Sequence, residues 1–246
     1  MKTVPPYTIF PEIYDLCMNH VPYHRWARYL LRRAAAHFDF KPRAVLDLAC
    51  GTGMILAEME GRVGELHGTD RSLEMLELAR SRVPSGAFVQ AAMEGPLPYD
   101  PERFAWAIST HDSVNYLTDK SDLDRHFAAV ARVLVPGGLY SLDVVSLSNI
   151  LANFHRKQLE ERVGGTHLVW TNDYDSGTRV MESRLTFRPR RGEALQEIHL
   201  QRFYDTDELE SMAGRHGLVL KWAEGDYSEG RMLGDDDMRN YHFYKS

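Results

Sequence analysis

The sequence predicts an α/β fold with a Rossmann-like, doubly wound sheet, and three observations support this prediction. Strand patterns alternate with helical patterns from residue 44 to residue 145, which is typical of parallel βαβ units. A turn rich in small residues, at 49–53, directly follows the first of these strands. Asp70 ends the second strand about 20 residues later, where Rossmann folds place an acid that binds ribose hydroxyls.

Composition limits the class of protein. The chain has 246 residues, of which 43% are hydrophobic and 26% charged, as in an ordinary globular protein. Its formal net charge of −6 disfavours a dedicated nucleic-acid-binding protein, which usually carries a basic excess. The two cysteines imply no disulfide framework, and residues 1–20 lack the apolar core of a signal peptide. No apolar run approaches the roughly 20 residues that span a bilayer. We therefore expect a cytoplasmic protein without a membrane partner, as a monomer or a homodimer.

Two short helices are predicted ahead of the sheet, at 11–19 and 22–38. In the second helix Trp26, Leu30 and Ala34 recur at helical spacing. Five strands then follow, separated by helices at 54–60, at 72–83 with Ser72 as the N-cap, and from Ser121, where Asp124 completes a capping-box pattern. The strands are expected at 44–48, 65–69, 87–91, 104–109 and 139–145.

The pattern changes to antiparallel after the fifth strand. Strands at 167–173, 179–187 and 195–204 are joined by turn sequences, and Asp205 with Glu208 is expected to cap the next helix. Final strands are expected at 218–223 and 241–244. The prediction is a single domain, 1–246. It is divided into an N-terminal helical lid (1–40), a cofactor-binding core (41–146), an antiparallel flap that contacts the acceptor (147–204) and a C-terminal segment that completes the sheet (205–246).

The small-residue turn is suited to ligand binding. Residues without bulky side chains let the backbone approach a ligand, and the following helix N-terminus presents free N–H groups to an anion. A dinucleotide fingerprint requires another glycine three residues after Gly53, where Leu56 stands, so NAD is disfavoured. Taken alone, Asp47 is equally a turn residue and Asp70 equally a helix cap. Their joint order and spacing favour a binding site.

Asp47-x-Ala49-x-Gly51-x-Gly53 resembles the first motif of class I S-adenosylmethionine-dependent methyltransferases, with alanine replacing the usual first glycine. Asp70 matches their acidic residue, and residues 134–138 resemble the turn before their fifth strand. The resemblance implies the class I fold and S-adenosylmethionine as cofactor. It places Gly51 and Gly53 under the methionyl moiety, Asp47 near its amino group, Asp70 on the ribose and Met93 beside the adenine. The full set of expected cofactor contacts is Asp47, Ala49, Gly51, Gly53, Asp70, Arg71, Ala92, Met93, Thr110 and Trp26.

The adenine end departs from the family pattern. Many relatives carry an aspartate where this chain has Ala92, so Glu94 is a candidate to replace that aspartate.

The acceptor side follows the fourth strand, at 110–117. The Asn/Asp-Pro-Pro-Tyr/Phe motif of DNA amino-methyltransferases is absent there, and Pro5-Pro6-Tyr7 is interpreted as an extended lead-in. Asp-Ser-x-Asn-Tyr-Leu at 112–117, with Tyr14-Asp15, resembles small-molecule N-methyltransferases that act on amino sugars and glycine-like amines. The resemblance implies a small-molecule acceptor.

Two residues are catalytic candidates. His111 is expected to act as a proton acceptor because histidine titrates near neutrality and this one follows the carboxyl end of a strand, although a structural role is equally open. Tyr14 is expected to close over the cofactor with Trp26 and to present a π face to its sulfonium, although Trp26 also fits simple core packing. Methyl transfer is an in-line displacement, so positioning supplies much of the acceleration.

Four residues are candidates for acceptor binding: Asp112, Tyr116, Arg202 and Tyr204. Arg202 and Tyr204 are predicted to share one strand face with His199, either toward the acceptor or, for Arg202, as a solvated charge. His20 and His24 have the spacing of a metal pair but lack a third ligand, so no metal is predicted.

The sequence thus predicts methyl transfer from S-adenosylmethionine to an N or O atom of a small molecule. An RNA methyltransferase and a nonenzymatic binding protein on the same fold are the alternatives. The acidic charge disfavours the first, and the intact motif residues disfavour the second.

Overall fold

A computed structural model describes residues 1–230, 232 and 234–246. The predicted C-terminal segment also contains Arg231 and Leu233, which lie outside the described residues. Within the described part of the chain, no helix has the length and apolar character to cross a bilayer. The helices are α1 (Pro11–Cys17), α2 (Tyr23–His37), α3 (Met54–Met59), α4 (Leu73–Arg82), α5 (Lys120–Val133), α6 (Leu147–Asn153) and α7 (Thr206–Gly214).

Two sheets contain the strands. The strands are β1 (Lys2–Val4), β2 (Ala44–Leu48), β3 (Glu65–Asp70), β4 (Ala87–Gln90), β5 (Phe104–Ser109), β6 (Leu134–Val145), β7 (Gln158–Val163), β8 (Thr166–Asp175), β9 (Val180–Arg188), β10 (Leu195–Arg202), β11 (Leu218–Gly225) and β12 (Met238–Lys245).

The first sheet confirms the predicted doubly wound architecture. Its order is β11-β12-β6-β5-β2-β3-β4, with β12 antiparallel to both neighbours and the strands from β6 to β4 in this order paired in parallel. Leu30 of α2, Leu56 of α3 and Leu76 of α4 pack in one apolar cluster. Phe127 of α5 and Leu209 of α7 pack in another. Because β2, β3, β4 and β5 are parallel, their carboxyl ends open on one edge, where ligands bind in such sheets.

The second sheet has the order β1-β10-β9-β8-β7 and is antiparallel apart from the β1–β10 pair. Its three central strands were predicted, whereas β1, β7 and α6 were not. β1 has only three residues, and β7 is almost entirely exposed, so neither shows a clear alternation. Helix α1 packs on this sheet through Phe10 and Ile13, which contact Leu185 and Phe187 in one buried cluster.

Two predicted helix starts were wrong in detail. Helix α5 is capped by Asp119, whose carboxylate accepts from the amide of Ser121, so Ser121 and Asp124 form no capping box. Asp205 stands at the N-cap position of α7 but makes no capping hydrogen bond, because its carboxylate accepts from Arg179 at 2.7 Å. Ser72 is the predicted N-cap, and its hydroxyl accepts from the amide of Met75.

The N-terminal segment is fastened across the edge where the strands end. Glu197 of β10 accepts hydrogen bonds from four consecutive backbone amides, at 7–10. Further along, the Asp15 carboxylate accepts from the Thr52 hydroxyl at 2.7 Å and pairs with Arg82. These contacts hold α1 between the second sheet and the glycine turn of the first.

Candidate active site

A cavity of about 390 Å³ lies at the carboxyl ends of the parallel strands. Its lining falls into two groups. The residues at the glycine turn and the ends of β3 and β4 include Ala49, Gly51, Thr52, Asp70, Arg71, Met93 and Glu94. The residues opposite them come from the N-terminal segment and the loop after β5, and include Pro5, Pro6, Tyr7, Tyr14, Tyr23, Thr110, His111 and Tyr116.

The glycine turn reverses through left-handed backbone conformations. The φ angles are +56° at Ala49, +53° at Gly51 and +77° at Gly53. Gly51 donates its backbone N–H to Oδ2 of Asp70 at 2.9 Å, which links the turn to the end of β3. Gly53 does not line the cavity, and a Cβ there would lie 3.2 Å from Ala79. Gly53 therefore lets α3 pack against α4, whereas Ala49 and Gly51 face the ligand space.

Asp70 lies at the wall of the cavity with both carboxylate oxygens oriented. Oδ2 accepts from Gly51, and Oδ1 accepts from the amide of Ser72 at 2.9 Å. Burial raises the pKa of Asp70, although these backbone hydrogen bonds act in the opposite direction. Each oxygen retains further acceptor capacity, so the pair of oxygens suits two adjacent hydroxyl donors. This position fits the ribose contact that the family resemblance implies.

Asp47 lies deeper than Asp70. It is 1% exposed and does not line the cavity, and its Oδ1 atom has no hydrogen-bond partner among the described residues. Burial raises the pKa of Asp47, and the charges of Asp70 and Asp143 raise it further. A buried carboxyl oxygen without a partner is costly, so a donor from a bound ligand would stabilise it. The amino group expected of S-adenosylmethionine is such a donor, and the residues present fit that group.

The cavity wall beyond β3 and β4 combines a backbone contact with an ion pair. Met93 lines the cavity, and its carbonyl lies 3.0 Å from Nδ1 of His126. Ala92 does not line the cavity. Glu94 lines it and pairs with Arg71, another lining residue. The structure thus places the Glu94 carboxylate at the cavity wall together with Met93.

The loop after β5 depends on one buried carboxylate. His111 and Asp112 have φ angles of +57° and +54°, which residues with a Cβ rarely adopt. Their amides donate to the two oxygens of Asp143 at 2.8 and 2.6 Å, and the hydroxyl of Tyr227 donates to the same carboxylate. Asp143 therefore holds the unfavourable turn that brings the His111 side chain to the cavity.

His111 is surrounded by aromatic groups. Its Nδ1 atom lies 3.0 Å from the hydroxyl of Tyr14 and 3.3 Å from that of Tyr23. Burial lowers the pKa of His111 to about 4, with a smaller contribution from His20. Trp26 meets the His111 ring edge-on at 5.3 Å and does not line the cavity. The imidazole is consequently neutral at physiological pH and is a weak proton acceptor.

Trp26 has its own stacking partner. Its ring lies parallel to that of Tyr227 with the centroids 4.3 Å apart. Trp26 thus supports His111 from behind, which is the packing role that its helical spacing also allowed.

The predicted shared face of His199, Arg202 and Tyr204 was wrong. His199 and Arg202 are three residues apart, so they lie on opposite faces of β10. Arg202 pairs with Glu208 and stacks on Tyr204, and neither Arg202 nor Tyr204 lines the cavity. Both substrate candidates therefore lie outside the cavity wall.

Residue Gln201, rather than Arg202, shares the face of His199. Its amide donates to Oδ2 of Asp112 at 2.7 Å, so Asp112 also lies behind the lining residues. Burial raises the pKa of Asp112 to about 7, and the neighbouring Asp143 contributes.

Three contributors at the acceptor end were missed from the sequence. Tyr7, interpreted there as part of a lead-in, lines the cavity and contacts the hydroxyl of Tyr116. Tyr23 and Asp143 were not singled out either. Neither an isolated tyrosine near the N-terminus nor an aspartate within an apolar strand shows a local pattern, so only tertiary contact reveals them.

We predict that Ala49→Gly stabilises the protein. A left-handed conformation costs an L-residue roughly 1–2 kcal/mol, and the added freedom of glycine in the unfolded chain offsets part of that gain. The free energy of unfolding, measured in urea, should rise by about 0.5–1 kcal/mol. Ala57→Gly in α3 is the matched control and should lower it by a similar amount. An equal fall in the free energy of unfolding of both variants would contradict backbone strain at Ala49.

We predict that Asp143→Ala disrupts the loop after β5. Three donors lose a buried acceptor, so the free energy of unfolding should fall by about 3 kcal/mol and the NMR signals of the His111 ring should shift. Asp175→Ala is the control, because Asp175 accepts two backbone amides at an exposed turn, and its loss should cost about 1 kcal/mol. A similar small loss in both variants would show that Asp143 does not hold the turn.

Comparisons with known proteins agree with this geometry. Residues 45–138 match a family model described as a methyltransferase domain. The Bacillus subtilis protein named "Putative methyltransferase YqeM" is 31% identical over 229 residues, which cover 91% of this chain and 90% of that protein. A Streptomyces venezuelae relative, dTDP-3-amino-3,4,6-trideoxy-alpha-D-glucopyranose N,N-dimethyltransferase, is 27% identical over 186 residues, 74% of this chain and 78% of its own. The crystal structure of an S-adenosylmethionine-dependent methyltransferase from Clostridium acetobutylicum aligns with a TM-score of 0.82 at 23% identity, covering 97% of this chain and 98% of that one. The chain belongs to the methyltransferase family and has the class I fold of S-adenosylmethionine-dependent methyltransferases.

Proposed function

We propose that the protein binds S-adenosylmethionine and transfers its methyl group to the nitrogen of a small amine, with amino sugars as the leading class. The observation that supports this most is the continuous cavity, which joins Asp70 and the glycine turn to a group of tyrosines around His111. One space therefore contacts both a nucleoside-binding edge and an aromatic acceptor end. The amino-sugar dimethyltransferase among the relatives supports the acceptor class.

Residues at one end of the cavity would bind and orient the cofactor. Asp70 would accept from the ribose hydroxyls, Asp47 from the amino group, and Met93 with Glu94 would contact the adenine. Arg71 and Thr110 complete the wall on either side. When bound, S-adenosylmethionine supplies a methyl carbon that its sulfonium leaving group already activates. The protein then contributes mainly position and exclusion of water.

Aromatic rings at the acceptor end suit a cationic amine. Tyr7, Tyr14, Tyr23 and Tyr116 line this part of the cavity, and π faces attract ammonium groups as well as sulfonium groups. The Asp112 carboxyl lies behind them, and since burial raises its pKa to about 7, a nearby cation would favour its charged form. Since the pKa of His111 is about 4, we infer that His111 orients the hydroxyls of Tyr14 and Tyr23 instead of removing the proton of the amine.

The walls of the acceptor end come from outside the Rossmann core. The segment at 5–8 covers the cavity, and β10 anchors that segment through Glu197. We therefore assign acceptor specificity to the N-terminal segment together with the second sheet, which act as the lid and the flap of the predicted domain organisation. A monomeric or homodimeric state stays a prediction from the sequence.

Cofactor binding is testable by calorimetry with S-adenosylmethionine, its demethylated product and NAD. Both methionine-derived ligands should bind far more tightly than NAD. Asp70→Ala should lose about 1–3 kcal/mol of binding free energy, because charge-assisted hydrogen bonds to two hydroxyls disappear. Asp173→Ala removes a carboxylate that is 78% exposed on β8 and should bind like the parent. Tighter NAD binding, or unchanged affinity in a folded Asp70→Ala protein, would contradict the assignment.

The acceptor class is testable with methyl-labelled S-adenosylmethionine and parallel pools of amino sugars, neutral sugars and RNA. We expect label in the amine pool, and mass spectrometry should locate it on nitrogen. Heat-denatured protein is the control for spontaneous methylation. Label confined to RNA, or to hydroxyl oxygens, would replace the amine proposal with one of the other acceptor classes.

A further inference from the structure

A chain of polar side chains leads from the acceptor end of the cavity into the second sheet. The hydroxyl oxygens of Tyr7 and Tyr116 lie 2.7 Å apart, and that of Tyr116 lies 2.9 Å from Nδ1 of His199. On the other side of the ring, Nε2 of His199 lies 2.9 Å from Oε2 of Glu197. The two tyrosines line the cavity, whereas His199 and Glu197 are 3% and 0% exposed behind them.

Glu197 fixes the hydrogen on Nε2 of His199, and with a neutral His199 ring this sets the direction of the other hydrogen bonds in the chain. Burial by itself raises the pKa of Glu197, but hydrogen bonds from His199 and from the backbone amides of the N-terminal segment lower it overall. Glu197 is therefore an ionised acceptor, so Nε2 of His199 must carry hydrogen. In a neutral imidazole the other nitrogen then accepts, which makes Tyr116 the donor to His199 and Tyr7 the donor to Tyr116.

Building on the function proposed above, we propose that Tyr7, Tyr116 and His199 form a polarised proton relay that receives the proton of an ammonium acceptor. Because the hydrogen of Tyr7 is committed to Tyr116, its oxygen offers lone pairs to an N–H donor in the cavity. The ammonium N–H bond breaks and the proton passes to Tyr7, while the proton of Tyr7 passes to Tyr116 and that of Tyr116 to Nδ1 of His199. The amine keeps its electron pair for attack on the methyl carbon. His199 becomes an imidazolium paired with Glu197.

The surroundings favour transfer through this chain over ionisation of its members. Burial raises the pKa of both Tyr7 and Tyr116 well above the ordinary value for a phenol, so each passes a proton on rather than losing one. The charges of Asp112 and Asp70 act on Tyr7, and those of Asp112 and Glu197 act on Tyr116, with Tyr14 as a further phenol nearby. This negative potential stabilises positive charge on the amine and then on His199.

The first test reads the direction of the hydrogen bonds without any ligand. Ring-nitrogen NMR of the full-length, ¹⁵N-histidine-labelled protein reports the tautomer of each imidazole, and His199→Gln identifies the signals of His199 by their loss. We expect the Nε2–H tautomer in the parent and a shifted Nδ1 signal in Tyr116→Phe. In Glu197→Gln, an amide donor to Nε2 should produce the Nδ1–H tautomer. An Nδ1–H tautomer in the parent, or no response to Tyr116→Phe, would overturn the relay.

The second test uses dTDP-3-amino-3,4,6-trideoxy-α-D-glucopyranose as the amine probe. Tyr7→Phe and Tyr116→Phe should each lower kcat by at least about tenfold while affinity for S-adenosylmethionine stays within about twofold, because only the proton path is broken. Tyr241→Phe is the matched control. It removes a buried hydroxyl that bonds Thr206 at 2.8 Å outside the cavity, so kcat should be unchanged.

Equal kcat in the two relay variants and the parent would overturn the relay even if methylation is confirmed. If the parent binds S-adenosylmethionine but does not methylate the probe, the proposed acceptor class fails, while the tautomer of His199 still decides the relay.

Discussion

The part of the cavity around His111, which we propose binds the acceptor, depends on the carboxylate of Asp143. Two adjacent residues, His111 and Asp112, adopt left-handed backbone conformations that are unfavourable for side chains with a Cβ, and both amides donate to Asp143. Without that acceptor the two amides would be buried and unpaired, and no hydrogen bond to Asp143 would stabilise the left-handed turn. The position of the His111 ring, its contacts with Tyr14 and the support from Trp26 all follow from this turn.

Carboxylates that accept backbone amides recur around the cavity. Asp70 orients the glycine turn, Asp143 the loop after β5, and Glu197 the N-terminal segment. Collecting acidic groups in a buried region is costly, and burial accordingly raises the pKa of Asp47, Asp70 and Asp143. A cationic ligand offsets that cost. The same groups that shape the backbone therefore suit the proposed sulfonium cofactor and ammonium acceptor, whose positive charge would favour the ionised carboxylates.

Several residues of the proposed cofactor side could be predicted together from the sequence because their signals are local. The β2 strand, the glycine turn and Asp70 lie within one βαβ unit, so periodicity and spacing place them together. The acceptor side joins residues that are far apart in the chain, such as Tyr7 with Tyr116 and Glu197 with the amides at 7–10, and no local pattern records such contacts. The error at Arg202 has a simpler origin. Residues three apart along a strand lie on opposite faces, so the spacing of His199 and Arg202 already contradicted a shared face.

This division between local and distant contacts also separates the two binding tasks. The proposed cofactor wall is formed by the parallel sheet, whereas the proposed acceptor wall combines the loop after β5 with the N-terminal segment that β10 anchors. Gln201 and His199 share the face of β10 that contacts Asp112 and Tyr116. Side-chain changes on that face alter the hydrogen-bond donors and acceptors behind the acceptor wall without touching Asp70 or the glycine turn. One constant methyl donor and a variable acceptor are thus compatible within a single fold, because part of the proposed acceptor wall rests on the second sheet.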